Sequence, residues 1–167
     1  FKPISKKSEN IHLILDRARK IATYGFAPNV VIKEKYDPSL PNIFGDFDLL
    51  LQTFLNIFKN SVEAAENGSV IIEVRTFYEN LINIKNNRGE SIPVPLNIEI
   101  RDNGKGFSKK ILAKAFHPFV SSKTNGSGLG LALVSRIIRE HNGWISIKSS
   151  PGDTVIRISL PITKKDN

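Results

Sequence analysis

Two apolar periods alternate along this chain, and their order limits its fold more than any other feature. Residues 8–23, SENIHLILDRARKIAT, carry Ile11, Leu15, Ala18 and Ala22 at helical spacing behind Ser8, a residue type suited to an N-cap. NVVIKEKY, residues 29–36, alternates as a strand does, and DPSLP after it is a turn or extended link held by two prolines. The strongest helical pattern runs from about Asp46 to Ala65. Leu51, Leu55, Phe58, Val62 and Ala65 form a stripe expected to face a sheet, and Asn67-Gly68 stops the helix. SVIIEVRTFY and PLNIEIRD follow as strands, a long hairpin whose tip, with Asn87-Arg88-Gly89 as its turn, is expected to be mobile. SKKILAKAF is a candidate short helix in a stretch, residues 104–126, that is otherwise rich in turn formers. GLALVSRIIREH is the next helix, ended by Asn142-Gly143, and WISIKSS and TVIRISLP make a closing hairpin around Pro151-Gly152-Asp153.

This order is not the regular strand–helix alternation of a doubly wound sheet. It predicts an α/β (α+β) two-layer sandwich: a mixed, mostly antiparallel sheet of about five strands, covered on one face by three helices. A chain of 167 residues suits one such domain. No apolar stretch is long enough to span a bilayer, and the start does not resemble a signal peptide. The absence of cysteine excludes disulfides and Cys-based zinc sites and favours a cytoplasmic setting. Met is absent too, so the chain is expected to be a piece of a longer protein. The net charge of +8 invites an anionic partner, but Lys2, Lys6 and Lys7 lie at one end and Lys164 and Lys165 at the other. No basic stripe with interleaved aromatics exists, so solvated charge without direct nucleic-acid binding is the expectation.

Four short stretches carry chemistry. In NGSGLGLALVSRIIREHNG, Gly126, Gly128 and Gly130 precede a helix, where free N–H groups and the helix dipole favour phosphate. A P-loop needs Gly-Lys-Ser/Thr, whereas Gly130 is followed by Leu131; a dinucleotide loop needs a strand before it, and FHPFVSSKTN is loop-like. A glycine-rich helix start with no ligand stays open on this stretch alone. In RDNGKGF, Asp102 ends a strand and can accept from a base amino group, while Gly104 and Gly106 let a flat ring approach the backbone. A plain Asp-Asn-Gly turn reads the same way. In FLNIFKNSVEAA, Asn56 and Asn60 share a helix face with Glu63 one turn on, and Asn is a poor residue for a helix interior. They suit either an exposed polar stripe or a neutral oxygen for a Mg²⁺ held mainly by phosphates and water. In FHPFVSSK, Phe116 and Phe119 either anchor a flap or dip into the core, and Lys123 can reach phosphates.

Taken together and in order, these stretches closely resemble the catalytic ATP-binding domain of sensor histidine kinases, in the superfamily shared with gyrase, Hsp90 chaperones and MutL proteins. The resemblance runs from about residue 10 to 162, leaving 1–9 as the remnant of a linker and 163–167 as a tail. YDPSLP, the long hairpin and SSPGDTVIRISLP are most similar to the nitrogen-regulation sensor kinases. The resemblance implies a Bergerat-type sandwich with ATP between the Asn helix and a flexible lid. It implies that Asp102 bonds the adenine amino group, with Gly104 and Gly106 lining the base pocket. Asn60 matches the Mg²⁺ ligand, and Asn56 the earlier Asn of the same box. Gly126, Ser127, Gly128, Leu129 and Gly130 match the phosphate loop; Phe116 and Phe119 match the lid anchor. Lys123 is a candidate γ-phosphate contact and Lys59 a weaker one. Ser127 stands where Thr is common in the family and Lys105 where Pro is common, and neither removes a proposed contact.

Gyrase-type ATPases carry a water-activating Glu four residues before the Mg²⁺-binding Asn. Here that residue is Asn56, which cannot act as a carboxylate base. Water attack is therefore expected to be slow, and the resemblance implies that the γ-phosphoryl goes to a histidine on a separate dimerisation domain of the same protein, and then to an Asp on a response regulator. The family acceptor has a His-Glu or His-Asp context, whereas His12-Leu13, His117-Pro118 and His141-Asn142 do not. The chain is thus expected to hold the donor site alone and to be monomeric by itself. A conformational ATPase or an anti-sigma-type protein kinase would need Glu at position 56, and a basic module that lost nucleotide would need Asp102 or the glycines disrupted.

Overall fold

Three of the four described helices begin where the sequence offers a side-chain acceptor for their first free N–H groups. In the computed structural model, which describes residues 2–65, 69–116 and 130–163, the first helix is α1 (Ile11–Tyr24). Its N-cap is Asn10, whose side chain accepts from His12 N–H at 2.9 Å. Ser8 was the cap expected from sequence; it lies instead in a short strand, β1 (Lys7–Glu9), paired with β3 (Ile43–Gly45). The two types are equally good caps, and the pairing of β1 with β3 settles the choice. The expected apolar positions of α1, Ile11, Leu15, Ala18 and Ala22, are buried, together with Ile14.

The second helix, α2 (Phe47–Glu63), starts at Asp46, whose Oδ1 accepts from Leu49 N–H at 3.1 Å. Its expected stop at Asn67-Gly68 lies outside the described residues. The buried face of α2 is Leu50, Thr53, Phe54, Ile57, Phe58 and Ser61, rotated from the expected stripe. Leu51, Leu55, Val62 and Ala65 are only partly buried against the core. The helix packs against α1 on one side and α4 (Gly130–Glu140) on the other, so its apolar arc is wider than one stripe. A fourth, short helix, α3 (Lys109–Leu112), is capped by Ser108.

The main sheet holds the five expected strands: β2 (Val31–Lys35), β4 (Ile71–Tyr78), β7 (Leu96–Asp102), β8 (Trp144–Ser150) and β9 (Asp153–Leu160). Their order is β2-β4-β7-β9-β8, parallel only between β2 and β4. Alternation sorts the two faces: Ile72, Val74, Ile98, Ile100, Ile156 and Ile158 are buried in the core. The opposite face carries Lys35, Glu73, Arg75, Glu99 and Arg101, with ion pairs such as Lys35–Glu73 at 3.2 Å. Between β4 and β7 the hairpin extends as a separate ladder of β5 (Asn83–Lys85) and β6 (Ser91–Pro93), turning at Gly89 with φ 75°. The two small ladders, β1–β3 and β5–β6, were not separable from links in the sequence because each strand has three residues. Among the described residues no helix is long and apolar enough to cross a membrane.

Helix α4 ends as its sequence demands. Asn142 takes a left-handed φ of 54°, and Gly143 N–H returns to Ile138 O at 2.9 Å. The turn delivers His141 into the interior, 1% exposed, where Nδ1–H donates to Ile137 O at 2.7 Å and Nε2 accepts from Asp46 N–H at 2.9 Å. Burial lowers the His141 pKa, and the nearby Lys6 charge adds to the shift while Asp46 and Glu140 oppose it. The unfolded chain therefore binds this proton at a higher pH than the folded one does. Stability is full above the unfolded value of about 6.5 and declines as pH falls below it, because Nε2 cannot both carry a proton and accept from Asp46. Melting temperature should thus drop between pH 7.5 and 5.5, and His141→Gln should flatten that slope. His12, whose pKa burial also lowers, leaves a residual slope of the same sign.

Candidate functional site

Three of the four chemistry-bearing stretches meet at one end of the sheet. Asp102 closes β7 on the helix-facing side, paired with Ile72 of β4 and Thr154 of β9. It is 5% exposed, and its Oδ1 accepts from Gly104 N–H at 2.9 Å, which fixes both the turn and the carboxylate. Asn103 Oδ1 accepts from Ile71 N–H at 2.8 Å and ties the same turn to the start of β4.

Gly104 has a reason that is tertiary rather than local. A β-carbon there would lie 2.6 Å from Ala64 O, at the cap of α2, and 2.9 Å from Ala64 C and Cβ. The closeness lets Lys105 N–H donate to Ala64 O at 2.9 Å, while Ala64 N–H donates to Asn60 O at 3.0 Å. The Asp102 turn is thereby fastened to the helical turn that carries Asn60. Gly106 has φ 75°, and a β-carbon there would stand 2.8 Å from Ser149 Oγ and Ser150 O. Glycine is needed at this position on both counts.

Asn60 is half-buried, Asn56 likewise, and Lys59 is exposed. Gly130, the first residue of α4, lies beside Asn60: a β-carbon on it would be 3.7 Å from Nδ2. The helix-leading glycine and the Asn helix are therefore neighbours. Phe116 is partly buried and packs against the core. Phe119, Lys123, Gly126, Ser127, Gly128 and Leu129 fall outside the described residues.

The structure adds two residues that sequence reasoning did not single out. Thr154 is 3% exposed beside Asp102 in the register, and Ser149 Oγ lies 2.7 Å from Thr154 Oγ1. Ser149 Oγ also accepts from Phe107 N–H at 2.9 Å. Two hydroxyls on a closing hairpin have no motif, and only the register brings them to the Asp102 corner.

Among the described residues no group of three His, Cys, Asp or Glu could hold a metal ion. Asn60 carries a neutral amide oxygen, a donor type that suits Mg²⁺ held mainly by phosphates and water. Of the three histidines, His141 is buried and bonded at both nitrogens. His12 is occupied on α1, with Nε2 2.8 Å from Thr76 Oγ1 and its ring stacked on Tyr36 at 4.7 Å. His117 lies outside the described residues.

The described residues thus form a helix-covered mixed sheet with a buried Asp, a glycine turn and an Asn helix at one end. The chain belongs to the family described as histidine kinase-, DNA gyrase B- and HSP90-like ATPases, whose profile matches residues 45–164. It is 50% identical over 165 residues to the sensory histidine kinase/phosphatase NtrB of Rhodobacter capsulatus, covering 99% of this chain and 46% of that protein. It is 41% identical to NtrB of Azospirillum brasilense, covering 96% of this chain and 40% of that protein. The chain thus spans less than half the length of these curated relatives. In fold it is similar to the mycobacterial sensor histidine kinase MprB, with a TM-score of 0.76 at 22% identity over 94% of this chain and 97% of that one. The catalytic domain of the histidine kinase ThkA gives a TM-score of 0.72 at 19% identity over 94% and 95% of the two chains.

Proposed function

We propose that this chain is the ATP-binding catalytic domain of a two-component sensor histidine kinase of the nitrogen-regulation type. It binds Mg-ATP and donates the γ-phosphoryl to a histidine on a separate dimerisation domain of the same protein, for onward transfer to an Asp on a response regulator. The observation that carries the reading is the fastening of the buried Asp102 turn to the Asn60 turn of α2, with Gly130 beside Asn60. Identity of 50% to a sensory histidine kinase/phosphatase supports the same assignment.

Each residue then has one task. Asp102 accepts from the adenine amino group, and Gly104 and Gly106 form the base floor. Asn60 supplies an oxygen to Mg²⁺, which neutralises phosphate charge when bound. Gly126, Ser127, Gly128, Leu129 and Gly130 cradle the phosphates with backbone amides, Lys123 and Lys59 add positive charge, and Phe116 and Phe119 anchor the lid. Asn56, an amide where a hydrolase needs a carboxylate, keeps water from being activated. The phosphoryl group is thus reserved for a positioned nucleophile, and transfer relies on alignment and charge stabilisation. His12, His117 and His141 lack the His-Glu or His-Asp context of the family acceptor, which supports an acceptor on another domain. The setting of this domain is the cytoplasm.

Titration with ADP and a non-hydrolysable ATP analogue, with and without Mg²⁺, tests the reading. Dissociation constants should be micromolar or weaker, about −8 kcal/mol or less favourable. Asn60→Ala should chiefly remove the Mg²⁺ enhancement for the ATP analogue. Absence of binding to any adenine nucleotide, or rapid ATP hydrolysis by the chain alone, would refute it.

A further inference from the structure

We propose that Ser149 is a positioning residue for nucleotide binding: its hydroxyl clamps the Gly106–Phe107 backbone to the β8–β9 pair and holds the floor beside Asp102. The proposal rests on the reading of this corner as the adenine-nucleotide site.

Residues 104–107 leave the end of β7 and lead toward α3. They are tied to other elements at three points: Lys105 N–H to Ala64 O at 2.9 Å, Gly104 O from Gly152 N–H at 2.8 Å, and Phe107 N–H to Ser149 Oγ at 2.9 Å. The first two are backbone bonds, which almost any residue can supply. The third needs a hydroxyl at position 149.

The register explains why this hydroxyl lies where it does. Ser149 faces Thr154, and Thr154 faces Asp102, so the three form one row across β8, β9 and β7. On β8, Ile145 and Ile147 pack against the core, and Ser149 continues that helix-facing side by alternation. Ser149 Oγ thus joins Thr154 Oγ1, 2.7 Å away, to the Phe107 amide. The left-handed Gly106 lets the chain pass close enough: a β-carbon there would meet Ser149 Oγ at 2.8 Å. A hydroxyl bonded on two sides sets how far the turn stands from β8, and the ring-binding floor is that turn.

The test compares wild type, Ser149→Ala and Ser149→Thr by calorimetric titration with ADP at 25 °C, alongside thermal melting without ligand. Ser149→Ala should weaken ADP by about tenfold, the scale of one partly buried hydrogen bond, while melting falls by no more than about 4 °C. Ser149→Thr, which keeps the hydroxyl, should bind within about threefold of wild type. Phe107 amide exchange should accelerate only in the alanine variant. Both variants stay folded at 25 °C, so a bond that only stabilises the fold would leave the dissociation constant unchanged. Equal ADP affinity in wild type and Ser149→Ala, or equal loss in the Ala and Thr variants, overturns the proposal. Failure of wild type itself to bind ADP overturns the reading of the site, and this proposal with it.

Discussion

Asp102→Ala should abolish measurable adenine-nucleotide binding while leaving a folded protein. The carboxylate is almost wholly enclosed at the end of β7, and in the proposed complex it accepts from the base amino group where water cannot substitute. A hydrogen bond to a charged group is worth about 1.5 to 3 kcal/mol, roughly one to two orders of magnitude in affinity. The alanine variant also takes the acceptor from Gly104 N–H, which loosens the turn and adds to the loss. Asp102→Asn separates the two effects. It keeps an oxygen for Gly104 N–H but removes the negative charge, so it should melt near wild type and still bind poorly. Titration with ADP and circular-dichroism melting of both variants make the check. Affinity within about threefold of wild type for the alanine variant would show that Asp102 does not read the base.

The second large effect is expected at Gly104, in stability rather than in ligand chemistry alone. Gly104→Ala places a β-carbon 2.6 Å from Ala64 O, a backbone atom at the end of α2 that cannot rotate away. Either the helix end or the turn must move, stretching Lys105 N–H to Ala64 O and Gly152 N–H to Gly104 O. Overpacking of this kind costs about 2 to 3 kcal/mol, or roughly 6 to 10 °C in melting temperature for a domain of this size. Nucleotide binding should weaken as well, because the displaced elements carry Asn60 and Asp102. Gly152→Ala is the control: its φ is 84° but nothing lies within 4 Å of the added carbon. Its cost should be only the left-handed backbone penalty of about 1 kcal/mol. If the two variants melt alike, the close approach at Ala64 is not what requires glycine at 104.

The contrast between those two glycines marks how far the sequence could be read. The closing hairpin, the α4 stop at Asn142-Gly143 and the five main strands were legible because each depends on neighbours within a few residues. The α2 face was read too narrowly, since a helical stripe records which positions are apolar and not that α1 and α4 flank the helix. Ser8 and Asn10 were interchangeable as caps until β1 paired with β3. The candidate site stretches could be set in order, Asn60 before Asp102 before Gly130, because chain order and residue type survive without coordinates.

By itself, then, the sequence determined the periods, the stops, the layer type and the identity of Asp102, Asn56, Asn60 and the glycines as candidates. Only the tertiary structure decided how Asp102, Gly104 and Gly106 are held. Asp102 faces inward because β7 lies between β4 and β9 in one register. Gly104 must lack a side chain because α2 ends against it, and His141 must stay neutral because Asp46, nearly a hundred residues earlier, donates to it. Ser149 reaches the Asp102 corner for the same reason. Contacts between distant residues depend on how the layers pack, and no local pattern of residue types encodes that distance.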